Sequence, residues 1–271
     1  MSQLKALIFD VDGTLANTEE THRIAFNIAF NEFKLGIEWS EQEYARLLKI
    51  SGGKERIYAY LKKHKVKTDN NIGMREFALK IHQRKSEIYR EKLIDGHIGL
   101  RVGVKRLLDE AKEKGLKIGI ATCTSTSNVE TLLKNTLGPG AMSYFDTVVT
   151  SDIVIDKKPS PVVYQFALSE LGLEPKVCIA IEDTYNGNRA AYAAGLKTVI
   201  TTHAFTRSDN FEHASIVLDQ LGDPGQPFKV ISGNAHGAQY VDIQLLENIM
   251  AEENLEIIPE YWEPEFAVVA K

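Results

Sequence analysis

Residues 4–9 (LKALIF) form an apolar run that predicts a short buried strand, and the run stops at a polar turn, DVDG, over 10–13. From 19 to 35 the apolar spacing changes to three and four, with Ile24, Phe26, Ile28, Phe30 and Phe33 marking a helix. Lys- and Glu-rich segments of helical character continue over 41–92, broken at 50–58 (ISGGKERIY) by the Gly52-Gly53 pair. No strand is predicted between 16 and 95. Residues 94–104 (IDGHIGLRVGV) read as a crossover into a second folding unit, where elements alternate. Val104, Leu107, Leu108 and Ala111 mark a helix. Strands are predicted at 117–122, 146–151, 177–183 and 197–201, separated by helices at 128–137, 161–171 and 187–194. Strands alternating with helices imply an α/β fold with a doubly wound parallel sheet covered on both faces.

The layout is therefore an α/β core over 1–15 and 96–222, with a helical insertion over 16–95 and a C-terminal extension over 223–271. The insertion follows the first strand directly, where such sheets place ligand loops. Residues 222–228 (GDPGQPF) read as a linker. Beyond them lie one amphipathic helix, predicted over 243–255 from Leu245, Leu246, Ile249 and Met250, and an acidic aromatic end, PEYWEPEF, without a chemical reading. The extension offers a possible protein contact. No fixed-period repeat is evident.

Composition narrows the classes. A chain of 271 residues with 44% hydrophobic and 25% charged content suits one large globular domain or two unequal ones. A net charge of −5 weighs against nucleic acid and anionic membrane as partners, while leaving room for a local basic pocket. No apolar run reaches transmembrane length, and the N-terminus lacks the layout of a signal peptide. Two cysteines, Cys123 and Cys178, make no disulfide framework, so a cytoplasmic location is expected.

The chemistry-bearing residues fall at strand ends. An Asp-Gly turn explains Asp12-Gly13 but not Asp10, which would be costly at the end of a buried strand if unpaired. A divalent cation relieves that cost, and hard oxygen ligands favour Mg²⁺. A second buried strand ends in Glu182-Asp183, and in a parallel sheet both ends share one edge. Asp10, Asp12, Glu182 and Asp183 carry four negative charges, more than one Mg²⁺ and one lysine offset. Either a proton is retained, which suits Asp12 as a general acid with its pKa raised by its neighbours, or further cations lie close. Residues 121–128 (ATCTSTSN) read equally as a polar loop with an N-cap at Ser127 or Asn128, or as a phosphate cradle. Residues 157–161 (KKPSP) alone read as a solvated loop with Pro161 opening a helix. Together they supply neutral donors and a cation to a transferring phosphoryl group.

These four segments, in this order, resemble the haloacid dehalogenase superfamily of phosphotransferases: DVDGTL at 10–15, Thr122 in IATCTS, Lys158 in KKPSP, and Glu182-Asp183 in IEDTYNG. The resemblance covers residues 4 to about 221. It implies Asp10 as the nucleophile forming an aspartyl-phosphate and Asp12 as the acid and base. Thr122 would bond the phosphoryl oxygens, and Lys158 would neutralise Asp10 and the developing charge. Mg²⁺ would be bound by Asp10, Asp12 through its carbonyl, and Asp183, with Glu182 assisting. The insertion resembles the helical cap of the β-phosphoglucomutase-like branch. Within that branch, DVDGTLANTEETHRIAFN and SGGKERI look most like the CbbY-type sugar-bisphosphate phosphatases, whose characteristic substrate is xylulose-1,5-bisphosphate. The expected substrate contacts are then Glu19 and His22 on the first cap helix, Gly52, Gly53, Lys54 and Arg56 in the cap loop, and Thr122, Cys123, Thr124, Ser125 and Lys158 in the core. Cys123 itself reads as a small packing residue in that loop.

A second phosphate needs an anion site away from the metal, and Lys54 and Arg56 beside two glycines suit it. The plainer explanation of that loop is a helix N-terminus with solvated charges. Glu19 also suits a helix start, and His22 alone suits cap packing. The alternatives to a phosphatase are a sugar phosphomutase of β-phosphoglucomutase type and, more distantly, a non-catalytic binding protein on the same scaffold. Asp12 and the acidic pair argue against the metal-free, halide-displacing branch.

Overall fold

The computed structural model describes residues 4–66, 72–95 and 98–252. Six parallel strands and one antiparallel edge strand make a single sheet in the order β3-β2-β1-β4-β5-β6-β7. The central strand, β1 (Ala6–Phe9), pairs with β2 (Lys117–Ala121) on one side and β4 (Cys178–Glu182) on the other. β3 (Thr147–Val149) lies outside β2, and β5 (Lys197–Thr201) lies beyond β4.

The strands are apolar throughout because both faces are covered. Their period of two sends Leu7, Phe9, Ile179 and Ile181 into one packed layer, with α5 (Val104–Glu113) and α6 (Thr126–Leu137). Ala6, Ile8, Cys178 and Ala180 face the opposite layer, against α7 (Val162–Leu171) and α8 (Tyr185–Ala193).

Among the described residues, four helices lie between β1 and α5: α1 (Glu19–Glu32), α2 (Glu41–Leu47), α3 (Gly53–Lys63) and α4 (Met74–Asp95). They close over an aromatic centre in which Trp39 packs against Phe26 and Phe30 at ring-centroid distances of 4.8 and 4.7 Å. Asn27 pins this turn by accepting from Trp39 N–H and donating to Trp39 C=O. Leu61, Ile81 and Ile57 complete the layer.

Three sequence expectations are corrected. The helix after β2 begins at Thr126 with Ser125 as its N-cap, not at Ser127 or Asn128. Two short strands escaped the pattern: β6 (Ile216–Leu218), parallel to β5, and β7 (Val230–Gly233), antiparallel to β6. Residues 222–228 are not a linker but the tight connection between them, closed by reciprocal Asp223 and Gln226 backbone bonds. The chain beyond β7 is built into the main apolar layer: α9 (Ile243–Ala251) buries Ile243, Leu245, Leu246 and Ile249. The predicted helix end at 253–255 and the PEYWEPEF segment lie outside the described residues.

Candidate active site

Asp10 leaves β1 level with Glu182 of β4, since Phe9 is in register with Ile181, and Asp183 follows one residue on. Strand pairing thus forces three carboxylates together at one sheet edge. Asp10, Glu182 and Asp183 each offer an oxygen within 4.8 Å of the others, and all three residues are buried. Lys158 enters from the loop before α7 and donates to Asp10 Oδ1 at 2.6 Å and to Glu182 Oε1 at 2.5 Å. Tyr164 O–H, on α7, also donates to Glu182 Oε1, and the Asp183 N–H donates to Oε2. A side chain at Gly187 would collide with the Glu182 carboxylate, so that turn of α8 must be bare.

Burial raises the Asp10 carboxyl well above the usual range; Lys158 opposes this, and Glu182 and Asp183 reinforce it. Burial likewise raises Asp183, against His203 and Thr14. For Lys158, burial disfavours the ammonium, yet Asp10 and Glu182 outweigh it and raise its pKa. Fully ionised, three carboxylates and one ammonium would leave a charge of −2 in a buried space lined by hard oxygens. That donor set and charge fit a hard divalent cation.

Asp12 stands apart, which corrects its place in the expected acidic cluster. Its carboxylate turns toward the cap, where Oδ1 accepts from Thr18 at 2.7 Å, His22 Nε2 at 3.0 Å and Tyr89 O–H at 3.3 Å. Its pKa is also displaced opposite to expectation. Burial opposes ionisation, but His22, Thr18 and Lys85 overcome it and hold the carboxyl far below the usual range. The hydrogen bonds of Asp12 thus go to the cap side, to Thr18, His22 and Tyr89, and not to the lysine that serves Asp10 and Glu182.

A cavity of about 330 Å³ joins the sheet edge to the cap. It is lined by every residue expected to contact substrate, from Glu19, His22, Gly52, Gly53, Lys54 and Arg56 on the cap side to Thr122, Cys123, Thr124, Ser125 and Lys158 on the core side. The cap-side groups differ in their freedom. Arg56 is buried and directs Nε, Nη1 and Nη2 to Leu47 C=O, Tyr44 O–H and Ile50 C=O. Glu19 accepts from Tyr44 O–H at 2.7 Å. Lys54 is half-exposed beside Glu55 at 3.5 Å. Gly52 has φ +88°, a conformation glycine adopts without strain.

A model of the haloacid dehalogenase-like hydrolases matches residues 7–201. The chain belongs to that family. This hydrolase is 43% identical over 234 residues to the CbbY protein of a Cupriavidus necator plasmid, covering 86% of this chain and 92% of that one. It is 36% identical to an Arabidopsis thaliana CBBY-like protein, over 81% of this chain and 70% of the other. Among solved structures it resembles a CbbY variant from Rhodobacter sphaeroides in complex with xylulose-(1,5)bisphosphate, with a TM-score of 0.75, 39% identity, and coverage of 82% and 98%. The hydrolase is a phosphatase with the Rossmann-like fold of its family. Among the described residues no helix is long and apolar enough to cross a membrane.

Several groups at this site were not among the residues expected from the sequence. Lys85, on α4, is buried with its Nζ 2.5 Å from His22 Nδ1. Burial lowers its pKa to about 7, aided by Arg56 and opposed by Asp12 and Glu19. His82 lines the same cavity; burial, then Lys85 and Lys54, lower its pKa to about 3, so it is a neutral imidazole. Asn186, in the first turn of α8, donates to Lys49 C=O at 2.9 Å and to Ser51 Oγ at 3.0 Å, tying the cap loop to the core. His203 meets Asp183 from the loop after β5. An i,i+4 helical pattern could have marked Lys85 as inward-facing between Ile81 and Tyr89. The other three have partners remote in sequence and no local signature.

Proposed function

We propose that this phosphatase removes a phosphate from a small phosphorylated sugar carrying two phosphates, with xylulose-1,5-bisphosphate as the leading substrate, using Mg²⁺ and an aspartyl-phosphate on Asp10. The observation that carries the reading is one cavity lined by a cationic group from the core and another from the cap: Lys158 beside the acids, and Lys54 beside the Gly52-Gly53 turn. Similarity to a CbbY solved with that bisphosphate supports it.

Asp10 attacks phosphorus, forming a carboxyl-oxygen to phosphorus bond as the bond to the sugar oxygen breaks. Lys158 holds Asp10 by Oδ1 and leaves its other oxygen for attack. Thr122, after β2, offers its hydroxyl to a phosphoryl oxygen. Asp10, Asp183 and the Asp12 carbonyl would hold the Mg²⁺, with Glu182 behind them. When bound, the ion supplies charge neutralisation to the phosphoryl oxygens. Asp12 starts ionised, so the leaving sugar oxygen draws its proton through Asp12 from His22 Nε2 while the Lys85 ammonium passes one to His22 Nδ1, which keeps the imidazole neutral. Water then attacks phosphorus as the bond to Asp10 breaks; Asp12 takes the water's proton and returns it through His22 to Lys85, and inorganic phosphate leaves.

The test is a Mg²⁺-dependent screen of phosphate release from ketose bisphosphates, monophosphates and glucose 1-phosphate. Bisphosphates should give the highest kcat/KM, and Asp10→Asn should lower turnover by at least about 10³-fold. Isomerisation of glucose 1-phosphate without phosphate release would instead establish a mutase.

A further inference from the structure

Asp183 follows β4, and its two carboxylate oxygens are held from two different loops. Thr14 Oγ1, in the turn after β1, donates to Oδ1 at 2.8 Å. His203 Nε2, in the loop after β5, lies 2.9 Å from Oδ2. The other ring nitrogen assigns the tautomer: the Phe205 N–H donates to His203 Nδ1 at 3.3 Å. Nδ1 is therefore the acceptor, and the ring hydrogen sits on Nε2, pointing at the carboxylate. Each carboxylate oxygen has two lone pairs, so both remain able to meet a cation.

The loop that presents the ring is itself anchored. His203 N–H donates to Thr206 Oγ1 at 3.1 Å, and Thr206 N–H donates back to His203 C=O at 3.0 Å. Arg101, buried, donates to Thr201 C=O at 2.9 Å and Thr202 C=O at 2.7 Å, and also to Gly13 C=O. One guanidinium thus ties together the loops on either side of Asp183. Space for the ring comes from Gly13, which has φ +86° and where an added Cβ would strike both the Asp183 carboxylate and the His203 ring. His203 is not among the residues lining the cavity that holds Asp10, Asp12 and Lys158.

We propose that His203 is a positioning residue of the metal site: it holds Asp183 in one orientation and so sets the affinity for the divalent cation. This rests on the reading that Asp183 is a metal ligand. Hydrogen-bond partners of ligating carboxylates commonly have this effect, because an unrestrained carboxylate must be ordered when the ion binds.

The experiment uses Mn²⁺ as an oxygen-seeking stand-in, titrated into the full-length chain and followed by loss of its aqueous electron paramagnetic resonance signal, with Mg²⁺ as competitor. His203→Leu keeps bulk without a donor; His203→Ala is measured beside it; His203→Gln restores an N–H near the Nε2 position. Circular dichroism verifies that each variant is folded. Leu and Ala should weaken Mn²⁺ binding about 10- to 100-fold, and Gln should recover most of it. Wild-type affinity in the Leu or Ala variant, or failure of Gln to recover any, overturns the positioning role alone. No saturable Mn²⁺ binding by the wild-type chain overturns the cation reading, and the proposal with it.

Discussion

Lys85 carries a charge at odds with its buried surroundings. Folded, it releases its proton near pH 7 because burial disfavours the ammonium, with Arg56 adding to this and Asp12 resisting. Unfolded, it holds the proton to the ordinary lysine value of 10.5. Between about 7 and 10.5 the unfolded chain therefore binds more protons, and this residue makes stability rise with pH across that window. That contribution is full above 10.5 and is lost as pH falls through 7. Lys85→Met, of similar length and apolar, should flatten the slope and stabilise the fold at pH 7 by about 1–4 kcal/mol. It should also slow turnover, since His22 loses the group behind Nδ1. Urea melts between pH 6.5 and 10 measure the first effect; equal slopes in both proteins would refute it. The same residue shows how charge escapes a linear reading. Asp12, one residue from Val11 and two from Asp10, reads as a carboxyl burdened by acidic neighbours. In the fold its neighbours are His22, Thr18 and Lys85, and its ionisation moves the other way.

At the scale of elements, the decisive piece is the loop between α2 and α3. Arg56 grips Leu47 C=O and Ile50 C=O from inside the cap, while Asn186 of α8 grips Lys49 C=O and Ser51 from the core. Lys54, in the first turn of α3, lines the same cavity as Arg56 and Asn186. Lys54→Ala should raise KM for bisphosphates about 10- to 100-fold, the worth of one charge-assisted bond, while leaving monophosphates within a small factor. Asn186→Ala should act in the same direction, because the loop loses its hold on the core without losing a charge. Steady-state kinetics on both substrate classes give the answer; equal losses for both would remove Lys54 as the second anchor. The loop was legible as an interruption, through Gly52-Gly53, while Lys54 and Arg56, expected in it, fall in the first turns of α3. That Arg56 serves the loop from within was not legible, because its acceptors in the loop are backbone carbonyls, which every residue carries. The strands β6 and β7 were illegible for a related reason: three or four residues at a sheet margin are too few to show a period.

For the molecule as a whole, the segment past residue 222 belongs to the core. Val241, Ile243, Leu245, Leu246 and Ile249 are buried against the layer that also holds Leu107 and Leu108 of α5. Arg106 on α5 donates to Gly222 C=O and Val241 C=O, and Lys197 of β5 donates to Ile249 C=O and Glu252 C=O. Each buried aliphatic side chain contributes about 1.5–3 kcal/mol, so these five together rival the whole stability of a typical domain, about 5–15 kcal/mol. A chain ending at residue 222 should therefore lose its cooperative thermal transition by circular dichroism. A truncated protein that melts like the full chain would show that α9 is dispensable.

Strand ends rich in acid, hydroxyl and lysine, and their alternation with helices, were determined by the sequence itself, because period and turn chemistry are properties of near neighbours. Parallel pairing then placed Asp10, Glu182 and Asp183 at one edge with little freedom. Only the tertiary structure decided how charge divides there: Asp10, Glu182 and Asp183 with Lys158, and Asp12 with His22, Lys85 and Tyr89. Electrostatic fields act through space and deepen with burial, and the distance from Asp12 to Lys85 exists only once α4 has closed over β1.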